Sequence, residues 1–97
     1  MKSTNEYLTL LRQYMDSHAG KYGIVRMGIF GSVARGEQTE NSDVGICFEA
    51  PAPNLLTLAR IKFDLEALLG SRVDLVRLRD RMDEYLKQNI EKEALYV

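Results

Sequence analysis

The sequence predicts a small α/β (α+β) domain: a mixed three-stranded sheet with helices in the order α-β-α-β-α-β-α. Two observations carry this expectation. Stretches with apolar residues at helical spacing alternate with short runs rich in β-branched and aromatic residues. Glycines or prolines stand at most of the junctions between them. A third observation is length. With 97 residues the chain suits one domain, taken as 1–97, and such a chain buries only about 60–65 % of its extended surface. So small a core favours a partner chain.

The elements follow in order. Ser3 to Glu6 reads as a capping box, each side chain satisfying an amide at a helix start. Tyr7, Leu8, Leu11, Tyr14 and Met15 then recur at helical spacing, and Gly20 to Gly23 closes the helix. Ile24 to Phe30, bounded by glycine, is the first strand. Gly31-Ser32 is a tight turn opening a short helix through Arg35, followed by a polar loop from Gly36 to Ser42. Asp43 to Glu49 is the second strand, and Pro51 and Pro53 break the pattern after it. Asn54 caps a helix striped by Leu58, Ile61, Leu65 and Leu68, which Gly70 ends at the C′ position. Arg72 to Leu78 is the third strand, and Asp80 caps a last helix carrying Met82, Leu86 and Ile90. The apolar end Ala94-Leu95-Tyr96-Val97 either meets a partner or folds back onto the sheet.

Composition excludes several classes. The chain is 45 % hydrophobic and 28 % charged, which argues against disorder. No apolar stretch approaches the roughly 20 residues that cross a bilayer. Met-Lys-Ser-Thr-Asn-Glu at the start has no apolar core of a secretory signal. A single cysteine, Cys47, allows no internal disulfide and fits a reducing cytoplasm. One His18 and one Cys47 cannot build a structural zinc site. Thirteen basic residues against fourteen acidic ones argue against direct nucleic-acid binding through net charge. Arg77, Arg79 and Arg81, interrupted by Asp80 and followed by Asp83, read as a solvated face. His18 sits at a helix C-terminus, where a solvated histidine is common.

The informative stretch runs from Ile29 to Phe48. Gly31 allows a sharp turn and close backbone approach to a ligand. Ser32 stands where a new helix presents free amides, an anion site to which its hydroxyl adds a donor. Arg35, three residues on, shares that face. Together they could hold a triphosphate, although an isolated Gly-Ser is usually only a helix cap.

This segment resembles the signature of the nucleotidyltransferase superfamily of DNA polymerase β, Gly-Ser-x-Ala-Arg-Gly followed by Ser-Asp-x-Asp. It is most similar to the minimal nucleotidyltransferases, small bacterial proteins that act as antitoxins beside HEPN-domain toxins. Val-Asp-Leu-Val at 73–76 and Ile-Glu-Lys-Glu-Ala-Leu-Tyr at 90–96 extend the resemblance over nearly the whole chain. It implies transfer of a nucleoside monophosphate from ATP or another nucleoside triphosphate to a partner HEPN toxin. It also implies a Mg²⁺ site of three carboxylates, with Asp43 and Asp74 as catalytic and metal-binding residues. Gly31, Ser32 and Arg35 would bind nucleotide. Oligomers are compatible with the pattern.

The second carboxylate position holds Gly45, which offers no ligand. Glu49 lies about 13 Å further along the strand and Cys47 about 6.6 Å, and a thiol suits Mg²⁺ poorly. Glu37 and Glu40 fall on the loop. Weakened transfer is the direct expectation, and an inactive module that neutralises its toxin by binding is the alternative. Because a strand excludes positive φ, Gly45→Asp is expected to be accepted without a new backbone shape.

Overall fold

The computed structural model describes residues 1–97. Helix α1 covers Thr4–Tyr22 and opens with the expected capping box: Glu6 N–H donates to Ser3 Oγ at 3.2 Å, and Ser3 N–H to Glu6 Oε1 at 3.2 Å. It runs through Gly20 and stops at Gly23, whose left-handed φ of +68° lets its amide cap Ala19 O. Strand β1 (Arg26–Phe30) and strand β2 (Val44–Glu49) pair antiparallel, with Phe30 opposite Gly45. Helix α2 (Leu55–Leu69) starts on the Asn54 cap, which accepts from Thr57 N–H at 2.8 Å, and ends at Gly70. It returns the chain to strand β3 (Val73–Arg77), parallel to β2, with Asp74 beside Gly45. Helix α3 (Glu84–Glu93) leads to strand β4 (Leu95–Tyr96), antiparallel to β1.

The sheet order is β3-β2-β1-β4, so the sheet has four strands where the sequence predicted three. The fourth is the apolar end. Leu95 and Tyr96 fold back along β1 and Val97 N–H donates to Met27 O at 3.0 Å, the second of the two alternatives, with Leu95 still exposed at the sheet edge. Two residues carry too weak a period to be read as a strand. Three further expectations change. The short helix through Arg35 is a single turn over residues 32–36, held by Arg35 N–H to Gly31 O and Glu37 N–H to Ser32 O. Asp43 lies just before β2 rather than in it. Asp83, not Asp80, caps the last helix, accepting from Leu86 N–H at 2.9 Å. The residues between those two acids bring Met82 against Leu78 and Ile90.

Strand alternation divides the interior into two. Met27, Ile29, Val44, Ile46, Phe48 and Val73 face α1 and α2, where they meet Leu11, Tyr14, Ile61, Leu65 and Leu69. On the other face Cys47, Leu78 and Ile90 form a smaller core with Phe30, Val76 and Tyr96. Strand β2 is buried on both faces, which is why Val44 to Phe48 shows no polar alternation. No helix is long and apolar enough to cross a membrane.

Candidate functional site

The chain leaves β1 at Phe30 and must turn at once, so Gly31 adopts φ +79°, in the left-handed region. Open space lies where its Cβ would be, so conformation rather than crowding demands glycine. The turn that follows is pinned to the start of α1, because Thr4 Oγ1 donates to Val33 O at 2.6 Å. Ser32 is half-buried at the head of this turn, with Arg35 exposed one turn on. Gly31, Ser32 and Arg35 thus lie on one turn, and Gly31 and Arg35 meet on a common partner.

Those groups already hold an anion of the protein's own. Gly31 N–H donates to Glu93 Oε1 at 2.7 Å, and Arg35 Nη1 donates to Glu93 Oε2 at 2.8 Å. Arg35 Nε also donates to Glu37 Oε1 at 2.5 Å. Hydrogen bonds to Glu37 and Glu93 raise the already high guanidinium pKa, so Arg35 stays cationic. Glu93 closes α3 and was not singled out from the sequence. Its only signal was the Ile-Glu-Lys-Glu segment, 58 residues from Arg35, a separation no local pattern spans.

The two expected acids lie on neighbouring strands, Asp74 on β3 and Asp43 just ahead of β2. Asp74 is exposed on β3 between buried Val73 and half-buried Leu75, on the face shared by its register partner Gly45. Asp43 is exposed two residues before Gly45 and pairs with Arg72 Nε at 3.3 Å. At Gly45 the backbone φ is not positive, as expected for a strand. The space is nevertheless taken. A Cβ there would lie 2.8 Å from Phe30 O and 3.0 Å from ring atoms Cε2 and Cζ of Phe30. The expected backbone conformation is present, yet an aspartate there needs its neighbours to shift. The antiparallel partner strand crowds the position, which strand geometry alone could not disclose.

Nor do other acids stand in. Glu49 is tied to Arg26 Nη2 at 2.7 Å, and Glu37 and Glu93 to Arg35. Cys47 is buried, donates to Gly28 O at 3.7 Å, and has its thiol pKa pushed up to about 11 by burial, so it is no thiolate ligand at neutral pH. No three His, Cys, Asp or Glu residues converge as a metal-binding group. The three-carboxylate set implied by the resemblance is not formed, and a two-metal centre does not fit these donors.

Outside the site, His18 is half-buried rather than solvated. It stacks on Tyr14 with ring centroids 4.3 Å apart, and its Nδ1 lies 2.7 Å from Ser17 Oγ. Arg77 is likewise half-buried and donates to Ala50 O at 3.1 Å, whereas Arg79 and Arg81 are exposed as expected.

Similar proteins agree with this geometry. Residues 8–97 match the nucleotidyltransferase domain family. A Methanocaldococcus jannaschii protein with the provisional name protein adenylyltransferase MJ1379 is 36 % identical, over the full length of both chains. The protein adenylyltransferase MntA of Thermococcus cleftensis is 34 % identical, covering all of this chain and 98 % of its own. A solved structure described provisionally as a minimal nucleotidyltransferase superposes with a TM-score of 0.80 at 38 % identity, over 97 % of this chain and 95 % of the other. A toxin–antitoxin structure with AMP-PNP gives 0.71 at 26 % identity, over 98 % and 72 %. The glycine-serine turn, the paired strands bearing Asp74 and Gly45, and these full-length similarities lead to one assignment: the chain belongs to the nucleotidyltransferase domain family.

Proposed function

We propose that the protein is an antitoxin of the MntA kind, a single minimal nucleotidyltransferase domain whose transfer of AMP from ATP to a HEPN-type toxin is weak. In that reaction an acceptor hydroxyl oxygen attacks the α-phosphorus, the bond to the β-phosphate oxygen breaks, and pyrophosphate leaves while the hydroxyl loses its proton. Gly31, Ser32 and Arg35 bind the triphosphate, and Asp74 faces the acceptor, where it can take the proton. Asp43 and Asp74 are the protein carboxylates a Mg²⁺ accompanying ATP would meet, and no step is assigned to that ion. The observation that carries the attenuated reading is Gly45 beside Asp74, with Phe30 filling the place of a second carboxylate. A cytoplasmic setting belongs to the same reading and rests on one unpaired cysteine.

A second reading keeps the toxin partner and drops the chemistry. Glu93 favours it, because the anion-binding turn is already filled by a carboxylate. One experiment separates the two. Wild type and Asp74→Asn are each incubated with Mg-ATP and a HEPN protein encoded beside this chain, and adenylation is read by mass spectrometry. Slow labelling by wild type, lost in Asp74→Asn, is the expected result. No labelling despite a stable complex leaves the binding module, and rapid labelling by wild type overturns the attenuated site.

A further inference from the structure

We propose that two copies of this chain pair through the exposed ridge of α2, antiparallel, about a two-fold axis beside Phe63. The helix buries Ile61, Leu65 and Leu69 against the sheet. Its opposite side is also apolar: Leu56 is 64 % and Phe63 75 % exposed, and Ala59 and Ala67 are exposed between and beyond them. Spacings of three, four and four residues hold these four within about 40° of the Phe63 direction, a continuous seam of the kind that pairs helices. Beside Phe63 the ridge is hollowed on two sides, by Leu56, Ala59 and Arg60 on one and by Tyr14, Ala67 and Leu68 on the other. A protruding ring beside hollows is a knob with holes to receive its symmetry mate.

The charges identify the occupant. Arg60 and Asp64 flank the seam on one side, Lys62 and Glu66 on the other, and on each flank the base precedes the acid. Both acids are half-buried and held by their own chain through one oxygen, Asp64 Oδ2 accepting from the Tyr14 and Tyr22 hydroxyls and Glu66 Oε2 from Val73 N–H, so Oδ1 and Oε1 are the atoms left for a second copy. A two-fold antiparallel pairing centred on Phe63 brings Arg60 within about 3 Å of height of Asp64 from the second copy, and Lys62 equally close in height to Glu66. Ala59 then meets Ala67, two small residues that allow close approach. A parallel pair would set like charge against like. The ridge is therefore complementary to itself, as an isologous interface requires. It lies on the far side of the sheet from Asp74 and Gly45, so pairing leaves the nucleotide site open.

One 15-residue helix supports only a small interface, at the weak end of the size range below about 1,200 Å² in total. The test is light scattering on the full chain over a range of about 10 to 500 µM, chosen for an interface of that class. The mass should climb from the 11.1 kDa of one chain towards about 22 kDa. Phe63→Ser, and separately Arg60→Glu with Lys62→Glu, should each hold it at the single-chain mass with unchanged circular dichroism and melting. All three replaced side chains are exposed, so folding is not at stake. A wild type that stays monomeric throughout, or a dimer that survives both variants, overturns the proposal. A monomeric wild type whose co-expressed HEPN partner is lost on Phe63→Ser also overturns it, and gives the ridge to that partner.

Discussion

Glu93 and Gly45 decide more about the site than the residues that match the family signature. The Glu93 carboxylate sits on the Gly31 amide and the Arg35 guanidinium, the groups proposed to bind phosphate. Glu93→Gln keeps an acceptor for the amide and removes the competing charge. Binding of AMP-PNP, followed by calorimetry, should tighten about twofold to fivefold, the scale of one half-exposed ion pair. Weaker binding would show that Glu93 instead holds the turn ready for nucleotide. At Gly45, even alanine drives a Cβ into the carbonyl and ring of Phe30. Gly45→Ala should cost about 1–3 kcal/mol in urea unfolding, the usual range for overpacking. Gly45→Asp should therefore restore little transfer, and adding Phe30→Ala should relieve only the ring contact, because the Phe30 carbonyl 2.8 Å from that Cβ remains. An active, fully stable single variant would contradict this crowding.

At the scale of elements, β4 is short yet closely docked. Gly28 on β1 lets it approach: a Cβ there would lie 2.9 Å from Leu95 O and from Tyr96 Cδ1. Arg26 clamps the same strand, its guanidinium 4.4 Å from the centroid of the Tyr96 ring while it pairs with Glu49. The Tyr96 hydroxyl is buried without a hydrogen-bond partner, and burial pushes its pKa up to about 12, as it pushes Cys47 to about 11. Both groups are neutral when protonated, with folded pKa values above their ordinary 10 and 9. The stability tied to them is complete below about pH 9 and is lost as pH rises through 11 to 12. Urea midpoints should hold level from pH 7 to 9 and then fall, with a shallower fall above about pH 10 in Tyr96→Phe. An identical alkaline profile in that variant would remove Tyr96 from the account.

For the whole molecule, the C-terminal segment joins the sheet to the glycine-serine turn. Glu93 meets Gly31, and the residues after it complete the sheet edge and add Ala94 and Tyr96 to the smaller core. Removing residues 94–97 should uncover the β1 edge, lower stability by about 2–4 kcal/mol as buried apolar surface is lost, and promote association through the exposed strand. Urea unfolding and light scattering check both. An unchanged midpoint would mean that β4 only rests on the sheet.

The sequence by itself determined the elements whose causes are local. The Ser3–Glu6 box, the Asn54 cap, and Gly23 and Gly70 at helix ends each act within a turn of the chain, so spacing sufficed to find them. It also determined the glycine-serine turn with Arg35, and the bare position at 45, because a motif is contiguous and a missing side chain needs no structure to notice. Only the tertiary structure decided what fills those places. Phe30 against Gly45, Glu93 against Gly31, and Leu95-Tyr96 along β1 are contacts between segments 15 to 68 residues apart. Such contacts arise from strand pairing and helix packing, which no periodicity within one segment encodes.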